Sequence, residues 1–226
     1  MDNLSQRATY KILSVLGSAA FSTMAANGAL MVVAQNLPLN TPYPRFGGTV
    51  GADQDPGGEL TPIILGQTFL AQESGQLYTI EAAADMGAGY IPVNPLMVSV
   101  VSIVDGQSGS ILASALVSPS EIPLEYSGSG FSIIAQFADG LFLEAGTQYG
   151  IEFSSPTGPA HYMLYGASTV TDYYPDGVAY LRQTSDDSID RDHQGDFYFR
   201  VTAHAPEPSV MLLNAFAALI LLRRRR

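Results

Sequence analysis

From Ile63 to Thr202 the chain is a succession of short apolar stretches broken by turn residues every eight to fifteen positions, and this rhythm limits the fold more than any other feature. The stretches are Ile63–Leu70, Leu77–Ala83, Leu96–Val104, Ile111–Val117, Phe131–Phe137, Gln148–Phe153, His161–Tyr165, Val178–Arg182 and Phe197–Thr202. Each is short for a helix and rich in the β-branched and aromatic residues that suit a pleated surface. Short strands at such spacing build sandwiches or barrels. The expectation is an all-β fold, an antiparallel β-sandwich of jelly-roll or immunoglobulin-like kind.

In the last stretch Phe197, Phe199 and Val201 alternate with Tyr198, Arg200 and Thr202, the two-residue period of a strand with one face turned inward. Leu96–Val104 is apolar almost throughout, apart from Ser99 and Ser102, which predicts cover on both faces. Asp105-Gly106-Gln107-Ser108-Gly109 reads as a hairpin loop, and Ala138-Asp139-Gly140 and Glu144-Ala145-Gly146 as tight turns whose glycines supply positive φ. Fourteen Pro and 22 Gly beside 46% hydrophobic residues argue for many turns around a packed core.

The net charge is −11, and the basic residues sit towards the ends. Between Gln35 and Ala205 there are four arginines, no lysine and nineteen carboxylates, a balance of −15. Such a surface repels nucleic acid, whose binding depends on Lys and Arg contacts to phosphate. Cysteine is absent, so disulfides, a thiol nucleophile and Cys-ligated metals are excluded.

Residues 1–34 read as an export leader. Arg7 and Lys11 form a small basic region, Ile12–Phe21 and Ala29–Ala34 supply apolar character, and small residues allow cleavage after Ala25 or, preferred on sequence, after Ala34. Residues 35–61 are a Pro- and Gly-rich entry segment with one edge strand near Thr49. The sandwich domain is expected over 62–205, and 206–226 form a separate tail.

In that tail Pro206-Glu207-Pro208 disfavours a packed element and keeps the chain extended. The fourteen residues Ser209–Leu222 contain only Ser209 and Asn214 as polar groups. As a helix they would be about 21 Å long, against roughly 30 Å of hydrocarbon core. Arg223, Arg224, Arg225 and Arg226 then resist transfer across a bilayer. A Pro-Glu-Pro motif, an apolar segment and a block of arginines in this order resemble the sorting tail of PEP-CTERM proteins. The resemblance implies an exosortase-type membrane enzyme as partner, cleavage near Pro206-Glu207-Pro208, transient insertion of the tail in the inner membrane, and a destination at the cell surface or in an extracellular polysaccharide matrix. Gly66-Gln67-Thr68-Phe69, Leu141–Tyr149 and Gly195-Asp196-Phe197-Tyr198-Phe199-Arg200 also resemble phrases of the β-sandwich ectodomains found ahead of such tails, domains similar to jelly rolls and carbohydrate-binding modules.

Catalytic signatures are few. His161, His193 and His204 lack partner patterns, and no Gly-x-Ser-x-Gly elbow, His-Glu-x-x-His helix or phosphate-binding Gly-rich loop is present. The expectation is a structural or adhesive protein, not an enzyme. A glycoside hydrolase is the weakest alternative, since two facing carboxylates are a property of the fold and not of spacing.

Two groups remain as candidate sites. Asp190, Asp192, Gln194 and Asp196, with Gly195 at a sharp turn, resemble the opening half of an oxygen-ligand loop, so a structural Ca²⁺ is the one cofactor considered; Asp186 and Asp187 add to the acidic run, and the alternative is a solvated loop. Tyr165, Tyr173, Tyr174 and Tyr180, interleaved with Asp172 and Asp176, offer rings and carboxylates of the kind that stack on and hydrogen-bond a sugar. They mark a carbohydrate-binding module as the main alternative function, with core packing as the plainer account of the same tyrosines.

Overall fold

Asp105 and Gly106 both have positive φ, 51° and 72°, and Val104 pairs with Gln107 across them. This is the two-residue turn whose twist matches that of antiparallel strands. Gly140 and Gly146, at 66° and 80°, likewise occupy the left-handed region in the turns where the sequence places them.

The computed structural model describes residues 28–37, 45–54, 60–87, 92–138, 140–155, 162–168, 174–183, 189–190 and 195–206. Its strands are β1 (Leu30–Asn36), β2 (Arg45–Gln54), β3 (Leu60–Leu70), β4 (Gly75–Ala82), β5 (Ala84–Asp85), β6 (Leu96–Val104), β7 (Gln107–Val117), β8 (Ile133–Gln136), β9 (Phe142–Leu143), β10 (Gln148–Ser154), β11 (Tyr162–Ser168), β12 (Ala179–Gln183), β13 (Ile189–Asp190), β14 (Gly195–Phe197) and β15 (Phe199–His204). Among the described residues the only helical element is a 3-10 turn at Pro119–Glu121. The fold is all-β, and its two sheets are antiparallel and packed together.

The small sheet runs β1-β15-β4-β8, with β9 also on β4. The large sheet runs β14-β11-β2-β3-β10-β6-β7, with β12 on β3, β13 on β12 and β5 on β11. Between them lie Val33, Leu77, Ile80, Phe199 and Val201 from one side and Leu65, Phe69, Val98, Ile151 and Phe153 from the other. Burying each such side chain contributes about 1.5–3 kcal/mol. Phe69 lies 5.7 Å from Tyr149, its cross-strand partner in the same sheet, and 6.2 Å from Phe199 across the gap.

Eight of the nine apolar stretches of the sequence each lie on one strand, with ends moved by a few residues, whereas Phe197–Thr202, expected as a single strand with Tyr198 facing solvent, breaks at a buried Tyr198 into the end of β14 and the start of β15, in different sheets. Two differences concern the first sixty residues. Strand β1 begins inside the stretch read as leader, and its Val33 and Ala34 are core residues at 0% and 2% exposure. Strand β2 is ten residues long, not a brief edge strand: it pairs with β11 through Val50 and with β3 from Gly51 on. A third difference is β6, the neighbour of the edge strand β7. On its outer face Ser99 and Val101 are buried while Met97 and Ile103 are half-buried, and its last residue, Val104, is exposed.

Two chain segments change sheet at one corner. Between β4 and β5 the crossing residue is Ala83, and between β14 and β15 it is Tyr198; the Ala83 N–H donates to the Tyr198 carbonyl at 3.3 Å. Tyr126, Ala167, Tyr165 and Phe131 pack around these two and form a second, smaller core.

Candidate functional sites

The tyrosine group divides on folding. Tyr174 and Tyr180 are 5% and 2% exposed, so neither ring is available for stacking on a ligand. Tyr174 meets Phe199 edge to face at 5.1 Å in the inter-sheet core. Burial, with the carboxylates of Asp176 and Asp196 adding to it, pushes its phenol up to about 12 against a bond to the Leu70 backbone. Tyr165 is half-buried; its hydroxyl donates to Asp85 Oδ2 at 2.6 Å and its ring stacks on Tyr126 at 4.8 Å. Asp176 accepts from Gln72 Nε2 at 3.4 Å on the surface. Tyr173 and Asp172 lie outside the described residues. The members that are described therefore serve three separate places.

Tyr180 belongs to a polar node on the outer face of the large sheet. Its ring lies across Gly66 of β3, where a Cβ would occupy the same space. Its hydroxyl donates to Glu152 Oε1 at 3.2 Å, Ser108 Oγ donates to the same oxygen at 2.6 Å, and Arg182 Nη2 reaches Oε2 at 2.6 Å. Glu152 is 3% exposed, and these three donors are what a buried carboxylate needs. Burial and the adjacent Glu152 carboxylate raise the Tyr180 phenol well above its ordinary value. Every partner is engaged, so the node is a clamp joining β10, β12 and the β6–β7 hairpin.

Of the acidic group, Asp196 faces inward at 5% exposure. Its Oδ1 accepts from Gln67 Nε2 at 3.2 Å and its Oδ2 from the Tyr174 N–H at 3.1 Å. Asp190 lies on β13, opposite Leu181. Asp192 and Gln194 lie outside the described residues, as do Asp186 and Asp187. With Asp196 committed to the interior, a Ca²⁺ reading rests on Asp190, Asp192 and Gln194. In the tail, Pro206 is exposed two residues beyond β15, and Glu207, Pro208 and Arg223–Arg226 lie outside the described residues.

Sequence reasoning missed the segment between β7 and β8. It is irregular yet pinned throughout. Ser118 and Glu121 form a capping box around the 3-10 turn. The Met86 N–H donates to the Pro123 carbonyl at 3.0 Å, and the Tyr126 N–H donates to Asp85 Oδ2 at 2.9 Å. Tyr126 Oη donates to the Gly130 carbonyl at 2.8 Å, while Ser132 Oγ donates to the Ala84 carbonyl at 2.5 Å and accepts from its N–H at 2.7 Å. Asp85, 3% exposed, thus ties the loop and Tyr165 to one carboxylate. The segment encloses an open cleft of about 440 Å³ lined by Ser120, Glu121, Ile122, Pro123, Glu125, Ser127, Ser129, Phe131 and Ser132. The legible signal was Ser118-Pro119-Ser120-Glu121, a capping-box pattern outside any apolar run.

Neither the protein-family models nor the curated proteins compared with this chain match it.

Proposed function

We propose that the protein is exported and displayed at the cell surface or in the extracellular matrix in a structural or adhesive role, tethered during maturation by the segments that flank its sandwich. The observation that carries this is the pairing of the first and last strands: Leu30 faces His204, and the Ala205 N–H donates to the Ala29 carbonyl at 2.9 Å. Because β1 and β15 are antiparallel neighbours, Gly28 and Pro206, the first and last described residues, lie at the same end of the small sheet. The segments before Gly28 and after Pro206 each carry an apolar run with basic residues, Arg7 and Lys11 in one and Arg223–Arg226 in the other, so both can address one membrane without straining the domain. The chain changes sheet at β1–β2, β3–β4, β4–β5, β7–β8, β9–β10 and β14–β15, and this repeated crossing supports the jelly-roll reading of the sandwich.

In this scheme an exosortase-type membrane enzyme cuts near Pro206-Glu207-Pro208 after the tail has inserted transiently. Leader removal precedes Gly28, since a cut after Ala34 would take most of β1 from the sheet; Ala25 is the compatible site. Mass spectrometry of protein extracted from the cell surface tests both ends. The expected species begins at or before Gly28 and ends near Pro206. Mature surface protein that retains Arg226, or protein confined to the cytoplasm, would refute the scheme.

A further inference from the structure

The cleft between β7 and β8 has features that the export scheme does not use. Loops of this length without regular structure are uncommon in compact domains and are usually functional when they are ordered. This one is ordered by the bonds to Asp85, Ala84 and Met86 and by the Tyr126–Tyr165 stack. Gly128 and Gly130, at φ of 87° and 71°, turn the backbone so that the loop closes on itself. Apart from Ser132, which both pins the loop and lines the cleft, the side chains that tie the loop to the sandwich are not the ones that face the cleft.

That second set has a definite chemistry. Ser120, Glu125, Ser127 and Ser129 are exposed along the cleft, as is Glu121, whose Oε2 caps the Ser118 N–H at 2.9 Å while its other oxygen is a further acceptor. Phe131, half-buried, supplies an apolar wall, held in place by the Arg200 guanidinium 5.0 Å from its centroid; that arginine is itself paired with Glu81. Carboxylates accept only, hydroxyls donate and accept, and a ring offers a surface for C–H groups. A ligand matching all three carries many hydroxyls on an apolar ring. Among the described residues no cationic side chain lines the cleft, and two carboxylates do, which disfavours uronates, phosphates and sulfated chains.

We infer that this cleft is a binding site for a short neutral saccharide, with Glu121 and Glu125 accepting from sugar hydroxyls, Ser127 and Ser129 completing the bonds, and Phe131 supporting one ring face. Its volume, about 440 Å³, falls within the range of small-ligand sites. The inference is independent of the export scheme, since a protein that binds no saccharide can still be exported, and the reverse.

The test is calorimetric titration of the full chain, with amide chemical shifts followed by NMR. The probes are neutral di- to tetrasaccharides of glucose, galactose, mannose and N-acetylglucosamine, with a tetragalacturonate and calcium chloride as controls. At least one neutral saccharide should shift amides of residues 120–132, and Glu125→Gln with Ser129→Ala should weaken it five- to tenfold. Both side chains are exposed, so the melting temperature of this variant should stay unchanged. Phe131→Leu should weaken binding further. The inference is overturned if no neutral saccharide shifts these amides at 20 mM, if the variants bind as the parent does, if tetragalacturonate binds equally well, or if calcium alone occupies the cleft.

Discussion

Gln67 and Asp196, 129 residues apart in the chain, meet side chain to side chain in the buried interior, amide nitrogen to carboxylate oxygen at 3.2 Å. The Gln67 carbonyl oxygen accepts from the Phe197 N–H at 2.9 Å, and Asn36 Nδ2 donates to the Phe197 carbonyl at 2.9 Å. One polar knot therefore joins β3, β14 and β1. It also links two of the phrases that make the sequence resemble a sandwich ectodomain, Gly66–Phe69 and Gly195–Arg200. The third, Leu141–Tyr149, adjoins the first: Gly146 N–H donates to the Ala71 carbonyl at 2.7 Å, and the Glu144 N–H donates to Tyr149 Oη at 3.0 Å. These phrases are fastenings of the fold.

Asp196→Ala should accordingly destabilise the protein by about 2–4 kcal/mol, because it leaves the Tyr174 N–H and one Gln67 bond without their acceptor in a buried place. Asp196→Asn, which keeps the shape but turns one acceptor into a donor, should lose about half as much. Urea denaturation in calcium and in chelator gives the measurement. An equal loss in both media is expected; a loss seen only in calcium would make Asp196 a metal ligand instead.

A second prediction concerns Gly66 and Tyr180. A Cβ at Gly66 would overlap the Tyr180 ring, so Gly66→Ala should cost about 2–3 kcal/mol as an overpacking change. Combined with Tyr180→Ala, which removes the ring, the added cost of Gly66→Ala should nearly vanish, a coupling of about 2 kcal/mol in a double-mutant cycle. Additive losses would mean that the glycine serves the backbone and not the ring.

Much of this fold was legible because a period of two and turn glycines are local signals. A turn at Asp105-Gly106 and eight of the nine strand stretches need nothing beyond neighbours in sequence, although the loop expected over Asp105–Gly109 closes in two residues and Gln107, Ser108 and Gly109 join β7. What was not legible depends on partners far away in the chain. Leu30–Ala34 is an apolar run with the composition of a leader, and only pairing with β15 makes it a core strand. Asp196 sits among other aspartates and reads as a Ca²⁺ ligand or a solvated acid, yet it is buried with its carboxylate on Gln67 and the Tyr174 N–H. Tyr174 and Tyr180 resemble a sugar platform until the sheets close over the first and the node with Gly66 and Glu152 takes up the second. The cleft at 120–132 has no periodicity to read, and its anchor, Asp85, lies on another segment.

Alkaline pH should unfold the protein earlier than its acidity alone suggests. Tyr162, Tyr174 and Tyr180 have phenols raised by burial, so their folded values lie above the unfolded value of 10. A raised value in the folded state means that the stabilisation is complete below pH 10 and declines as pH climbs towards about 12, where Tyr174 ionises. Urea midpoints measured from pH 8 to 12 should be flat and then fall, and phenolate absorbance from the buried rings should appear together with unfolding. Tyr180→Phe should shallow that fall. If all twelve tyrosines ionise near pH 10 with the fold intact, the burial argument fails.

The last prediction concerns where the folded domain begins. Six positions of β1 pair with β15, and Val33 and Ala34 add their burial to the core. A chain shortened to begin at Ala26 keeps all of this, whereas one beginning at Gln35 keeps Asn36 and its bond to Phe197 but loses Leu30–Ala34. Removing those residues uncovers one edge of β15 and leaves a void beside Val201 and Ala203, the partners of Ala34 and Met31. The combined cost is about 4 kcal/mol or more, counting burial and cavity together. Domains of this size are stable by only about 5–15 kcal/mol, so the chain from Gln35 should be largely unfolded or aggregated at 37 °C while the chain from Ala26 melts cooperatively. Circular dichroism melts of the two, followed by urea titration, decide the matter. Equal midpoints would show that β1 is dispensable and would reopen Ala34 as the end of the leader.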